Sequence, residues 1–211
     1  MKIVFLGYGN VGAPLADHLQ RLGHHVTLAA ANANSDSIQK ALARNTGLAV
    51  APPREALASA DVVFLATPFQ ANEEILKAVA GEIKGKILVD CTNPVGPGIT
   101  HGLKSVTSGS ELVQKLVPEA RVVKAFSIDG CENFEDNAYP AYSVKPAMLF
   151  CGNDAGVKRM VAGLIEQLGW EALDVGGLEQ ALHLEHMTLL WVRMVRVNGA
   201  SPDLVYAALH R

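Results

Sequence analysis

The stretch Lys2-Ile3-Val4-Phe5-Leu6-Gly7-Tyr8-Gly9-Asn10-Val11-Gly12-Ala13-Pro14 decides the fold. Five residues rich in β-formers run into G-x-G-x-x-G. An apolar set at helical spacing follows, Val11, Leu15, Leu19 and Leu22, closed by Gly23, so the order is strand, glycine loop, helix. The three glycines have separate tasks in such a turn. Gly7 takes the tight turn off the strand, Gly9 leaves no side chain where a pyrophosphate approaches the backbone, and Gly12 lets helix and strand pack closely. Unpaired N–H groups and the positive end of the helix dipole then face the phosphates. A tight strand-to-helix turn with no ligand uses the same residues; the motif gains meaning from standing directly after a strand.

Outward from this stretch, strands are expected over residues 25–30, 47–51, 61–66, 86–90 and 121–126. Helices are expected from Ser35, over 53–59 and 70–79, and from the capping box Ser108-Gly109-Ser110-Glu111 to the stop at Pro118. The βα pattern repeated about six times predicts an α/β fold, a doubly wound and mostly parallel Rossmann sheet. Residues 147–151 and 170–175 add two strands around a helix over 154–168. The tail reads as one long helix over 178–197, apolar at Leu182, Leu189, Leu190, Val192 and Met194, then a short helix beginning at Ser201-Pro202. The expected division is a nucleotide-binding domain over 1–176 and a helical segment over 177–211.

Composition narrows the partners. The chain has 211 residues, 49% hydrophobic, with a formal charge of −3 and no run of lysine or arginine. That balance points away from nucleic acid and anionic membranes and toward a small-molecule substrate. Cys91, Cys131 and Cys151 are odd in number with no CxxC spacing, the pattern of reduced thiols in a cytoplasmic protein. The first apolar run ends at Gly7, too soon for a signal peptide, and Arg193 and Arg196 interrupt the one candidate span, 189–197.

Ligands of doubly wound sheets sit beyond the carboxyl ends of the strands. Thr67, Pro68 and Phe69 after the fourth strand, and Asn93-Pro94 after the fifth, are therefore expected on the cofactor crevice. The sixth strand opens onto the same crevice through Ser127-Ile128-Asp129-Gly130-Cys131. The loop after the second strand reports cofactor choice: an acid there holds the ribose hydroxyls of NAD, and an arginine accommodates the 2′-phosphate of NADP. Here stand Ala29, Ala30, Ala31, Asn32, Ala33, Asn34 and Ser35. The missing acid disfavours NAD, and Asn32, Ser35 and backbone N–H groups, helped by Lys40, can hold a 2′-phosphate. NADP is expected, with NAD still open.

With these pieces placed, the chain resembles the coenzyme F420-dependent NADP reductase family and its bacterial dinucleotide-binding relatives. The resemblance is carried by IVFLGYGNVG, RLGHHV, ADVVFLATPF, ILVDCTNPVG, SGSELVQKLVPEARVVKAFS, LFCGND and LGWEALDVGGLEQALHLEHMTLLWVRM, in order over nearly the whole chain. It implies a NADP(H) site, a deazaflavin (F420) or flavin-like second substrate, and a homodimer in which the C-terminal segment completes the pocket. It places Tyr8, Gly9, Asn10 and Val11 on the dinucleotide and Ala30, Ala31, Asn32 and Ser35 at the 2′-phosphate. Phe69, Asn93 and Cys131 would line the route to the nicotinamide, and Ser127, Ile128, Asp129 and Gly130 the second-substrate pocket. Two departures stand out. Members with clear NADP preference carry Ser-Arg where this chain has Ala30-Ala31, and Asn-Thr is common where Ser127-Ile128-Asp129 stands.

The chemistry so implied is hydride transfer between two conjugated rings, in which the protein supplies alignment and water exclusion. No catalytic residue is assigned. Asp129 is the one acid–base candidate, for a carbonyl or imine substrate, against the plainer reading of a solvated loop carboxylate. Glu179, His183 and His186 share a helix face but read as an interface group, and no metal is expected. Cys131 reads as a small pocket-lining residue, and Trp191 and Met187 as core or dimer interface. Two other functions stay open: an imine or β-hydroxy-acid reductase relative lacking the large C-terminal domain, and a non-catalytic dinucleotide-sensing module.

Overall fold

In a computed structural model covering residues 1–211, the first half alternates strand and helix. It contains β1 (Lys2–Leu6), α1 (Gly12–Arg21), β2 (His25–Ala29), α2 (Asp36–Arg44), β3 (Ala49–Ala51), α3 (Pro53–Ala58), β4 (Val62–Leu65), α4 (Asn72–Val79) and β5 (Ile87–Asp90). A small hairpin of β6 (Val95–Gly96) and β7 (Thr100–His101) follows, then α5 (Gly109–Leu116), β8 (Arg121–Lys124), α6 (Glu132–Glu135), β9 (Ala147–Gly152), α7 (Ala155–Gln167), β10 (Glu171–Asp174) and α8 (Ala181–Val192). The capping box at Ser108 is formed, with its hydroxyl accepting from the Glu111 N–H and the Glu111 carboxylate accepting from the Ser108 N–H.

Eight strands form one sheet in the order β10-β9-β8-β5-β4-β1-β2-β3. Every pairing is parallel except β8 with β9, so the last two strands run against the others. The chain winds outward from β1 to β3, then returns to β4 on the other side of β1, which makes β1/β4 the switch point of the sheet. Both faces of the central strands are covered: Val62, Val63, Phe64 and Leu65 are fully buried, as the continuous apolar run requires. Phe5 of β1 stacks on its register partner Phe64 at 4.7 Å, and Phe126 continues the aromatic row at 5.8 Å from Phe64.

The tail departs from expectation in two ways. Its helix is three consecutive pieces: a 3₁₀ turn (Leu178–Gln180), α8, and a π turn (Arg193–Val197). The buried face is Ala181, Leu184, Glu185, Thr188 and Trp191, whereas Leu182, Leu189, Val192 and Met194 are half-buried and Leu190 is exposed. Apolar residues surround this helix on all sides, so periodicity could not identify the face; hydrogen bonds of Glu185 and Thr188 select it. The second departure is that no helix follows Ser201-Pro202. The carbonyls of this segment are taken from outside: Trp191 Nε1 donates to Leu204 O (2.7 Å), Asn133 Nδ2 to Pro202 O (3.1 Å) and the Ala147 N–H to Tyr206 O (2.7 Å). Tertiary partners thus override the local capping signal. No helix is long and apolar enough to cross a membrane.

Candidate functional site

The chain leaves β1 through Gly7, whose φ of +92° lies in the left-handed region that side chains resist. A Cβ there would stand 2.5 Å from the carbonyl carbon of Ala66, so the glycine is also needed for room against the outlet of β4. At Gly12 a Cβ would stand 2.1 Å from Gly7 O. Gly9 differs from both, since nothing lies within 4 Å of its missing Cβ. No side-chain oxygen caps the first turn of α1.

Above this turn, at the switch point, lies a cavity of about 870 Å³. Gly7, Tyr8, Gly9, Asn10 and Val11 line one side, Thr67 and Pro68 the outlet of β4, and Ile75, Ala78 and Val79 of α4 another wall. The volume is in the range usual for cofactor sites, about 300–1,000 Å³. An open approach to Gly9 and an uncapped helix start are what a nucleoside diphosphate requires. Sequence reading missed the far wall, Ser37, Pro52, Pro53 and Arg54. The signal was present in Pro52-Pro53-Arg54, a rigid turn followed by a cation directly after a strand.

The expected 2′-phosphate residues are not on this wall. Ala30 is buried, Ala31 and Asn32 are exposed, and Ser35 is the N-cap residue of α2 without a side-chain cap bond. A second cavity of about 690 Å³ shares Tyr8, Gly9, Asn10 and Ser37 and adds Asp36, Lys40 and Arg44. Arg44 is already engaged there by Asp17 at 3.0 Å and by Glu135.

The residues expected at the nicotinamide end are gathered around the tail helix. Asn93 Nδ2 donates to Ser127 O at 3.0 Å, and the Thr188 hydroxyl of α8 lies 2.6 Å from that oxygen and 3.1 Å from Asn93 Oδ1. Pro94 is buried beside it, and Phe69 packs where a Cβ on Gly109 would be, 2.7 Å from its ring. Cys131 is half-buried, and desolvation together with the neighbouring Glu132 carboxylate pushes its thiol pKa up, so it stays a thiol. Ser127, Ile128, Asp129 and Gly130 are all buried, Gly130 directly under the Trp191 ring.

Asp129 is not the solvated loop carboxylate of the plainer reading. It is 7% exposed, neither oxygen has a hydrogen-bond partner, and Ser127 Oγ and the Tyr206 hydroxyl are likewise unpaired. Desolvation pushes its pKa up to about 7. The C-terminal segment folds back past the outlet of β8, held by Asn133 at Pro202 O and by Trp191 at Leu204 O, with Tyr206 near the carboxyl.

A buried charge cluster was also missed. Asp90 and Lys124, register partners at the ends of β5 and β8, lie 3.8 Å apart, and Lys124 Nζ is 3.5 Å from Glu185 of α8. Lys124 also donates to Thr92 O, and Ser110 Oγ donates to Asp90 Oδ2 at 2.5 Å. Glu185 accepts from the Gly109 N–H at 2.8 Å and from His101 Nε2 at 2.8 Å. His101 Nδ1 accepts from the Leu103 and Ser105 N–H groups, which puts a proton on Nε2. From Asp90 the chain of bonds runs through Thr92 and Asn72 to Thr67 on the cavity wall. The signal was a charged residue ending each of two apolar strands. His186, expected beside His183, stacks on His101 at 5.3 Å. No three His, Cys, Asp or Glu side chains converge as metal ligands.

Among known proteins, F420-dependent NADP reductases recur in the comparisons. The family model described as NADP oxidoreductase coenzyme F420-dependent matches residues 2–94. An F420-dependent NADP reductase of Methanothermobacter marburgensis is 30% identical over 209 residues, covering 92% of each chain. That of Methanocaldococcus jannaschii is 32% identical over 145 residues, 66% of this chain and 64% of its own length, so the chain spans just under two thirds of that relative. Among solved structures, a candidate F420-dependent NADP reductase from Arthrobacter sp. FB24 superposes with a TM-score of 0.81 at 30% identity, over 94% of this chain and 95% of the other.

Proposed function

The chain belongs to the family of coenzyme F420-dependent NADP oxidoreductases, and from that premise we propose that it is a NADP(H)-dependent oxidoreductase passing a hydride between nicotinamide and a deazaflavin, flavin-like or other small acceptor. The observation that carries the proposal is the glycine turn. Two of its glycines are sterically obligatory for the fold, and the third, Gly9, is not, leaving open space on the cavity wall. On that wall, close approach of a pyrophosphate to the backbone supplies the need for a glycine that the fold does not.

When bound, the nicotinamide supplies the hydride. The work left to the chain is positional. N–H groups at the start of α1 and in the loop from Gly7 to Val11 hold the diphosphate, and Thr67 and Pro68 border its path along the outlet of β4. Thr188 and Asn93, tied to Ser127 O, fix the tail helix against the outlets of β5 and β8 and keep water from the far end of the crevice. Asp129, protonated below about pH 7, is the group beneath the C-terminal segment able to hold a proton for an acceptor that needs one. That carboxyl also favours a second reading, an imine or β-hydroxy-acid reductase relative without the large helical domain.

The same reading makes the protein a cytoplasmic homodimer. Its support is the outer side of the tail, where Leu190 is 53% and Val197 57% exposed. The test is calorimetric titration with NADPH, NADP, NADH and NAD, followed by addition of F420 or FMN to the tightest complex while the reduced-nicotinamide absorbance is followed. Tight NADPH binding with oxidation on adding either acceptor supports the reductase, and sedimentation should give twice the 22.4 kDa chain mass. Absence of binding by every nucleotide sinks it.

A further inference from the structure

The second-strand loop offers a 2′-phosphate no cation, since residues 29–34 are Ala, Ala, Ala, Asn, Ala and Asn. The neighbouring strand outlet does. β3 lies beside β2 with Ala51 opposite Ala29, and the Ala30 N–H donates to Ala51 O at 3.0 Å. The chain leaving β3 therefore runs alongside the loop that would hold the ribose. Pro52 and Pro53 fix that exit, with φ of −54° at Pro52 and Pro53 at the first position of α3. The next residue, Arg54, lines the same cavity as the glycine loop, Ala29 and Ser37.

We propose that Arg54, with Ser37, is the residue pair that selects NADP(H) over NAD(H) in this chain, by engaging the 2′-phosphate from the third-strand outlet. The proposal rests on the dinucleotide reading above. Arg54 is held only by its Nε, 3.2 Å from Glu82 Oε1, in an exposed pair of a kind that contributes little. Its two terminal nitrogens remain for bidentate contact with phosphate, which a guanidinium fork fits. Lys40 is the competing cation. It lines the second cavity in company with the Asp36 carboxylate rather than the wall shared by Ala29 and the β4 outlet.

The experiment titrates the full-length wild type, Arg54→Ala, Arg54→Lys and Lys40→Ala with NADPH and with NADH. Arg54 is largely exposed, so an unchanged melting temperature is expected for its variants and checks their folding. Arg54→Ala should weaken NADPH about 10- to 100-fold, as for a lost charge-assisted hydrogen bond, while NADH binding stays within about two-fold and Arg54→Lys recovers part of the loss. Lys40→Ala should leave both ligands nearly unchanged. Equal loss of NADPH and NADH in Arg54→Ala, no loss of either, or a selective loss in Lys40→Ala instead overturns this assignment alone. A wild type that binds neither nucleotide overturns it together with the dinucleotide reading.

Discussion

Asp129 shows how one residue changes meaning with its surroundings. Read in sequence it sits in a polar loop; folded, it is 7% exposed with no partner for either oxygen. Burial raises its pKa from 3.8 to about 7, so the folded state binds a proton more tightly than the unfolded chain does. Between about pH 4 and pH 7 the native state holds the extra proton, and stability falls as pH rises across that window before levelling off above it. Asp129→Asn removes the titration while keeping the shape. Its melting temperature should exceed that of the wild type by roughly 4–10 °C at pH 8 and match it closely only near pH 4, at the foot of that window. An equal difference at both pH values would place the carboxyl in a solvated setting after all.

At the scale of elements, α8 is joined to the sheet through charge as much as through apolar contact. Glu185 caps the N-terminus of α5, accepts from His101 and faces Lys124, so one carboxylate ties three elements together, and the dipole of α5 adds to its stabilisation. Truncating it leaves Lys124 buried with only Asp90 opposite. Glu185→Ala should therefore cost about 3–5 kcal/mol in denaturant unfolding, whereas His183→Ala, on the exposed side of the same helix, should cost little. A loss below about 1 kcal/mol in Glu185→Ala would show that the cluster is not structural. This helix is also where the sequence was least legible. Its apolar residues point in all directions, so Leu182, Leu189 and Leu190 looked as eligible for burial as Leu184 or Trp191, and the deciding partners lie some 60 to 95 residues away in sequence. The reverse holds for β4, whose continuous apolar run is that of a central strand covered on both faces, and for Ser108, whose capping box is purely local.

Over the whole molecule, strand order is what turns local motifs into a site. The glycine loop was legible because its geometry is set within six residues. The wall opposite it was not, because Arg54 and Ser37 reach the crevice only through the adjacency of β2 and β3. Likewise the sequence indicated two further strands after β8, while their reversed direction depends on a return through residues 126–146 that no local pattern encodes. Whether the β1/β4 switch point holds a dinucleotide is decided best at Gly9, because its Cβ position is empty while those of Gly7 and Gly12 are blocked by backbone. Calorimetric titration of Gly9→Val with NADPH beside the wild type, with melting temperatures of both unliganded proteins, is the measurement. Nearly equal melting temperatures are expected, with a loss of affinity of at least about 100-fold, since the valine occupies the space the diphosphate needs. A Gly9→Val protein that binds NADPH as tightly as the wild type would contradict a dinucleotide site there.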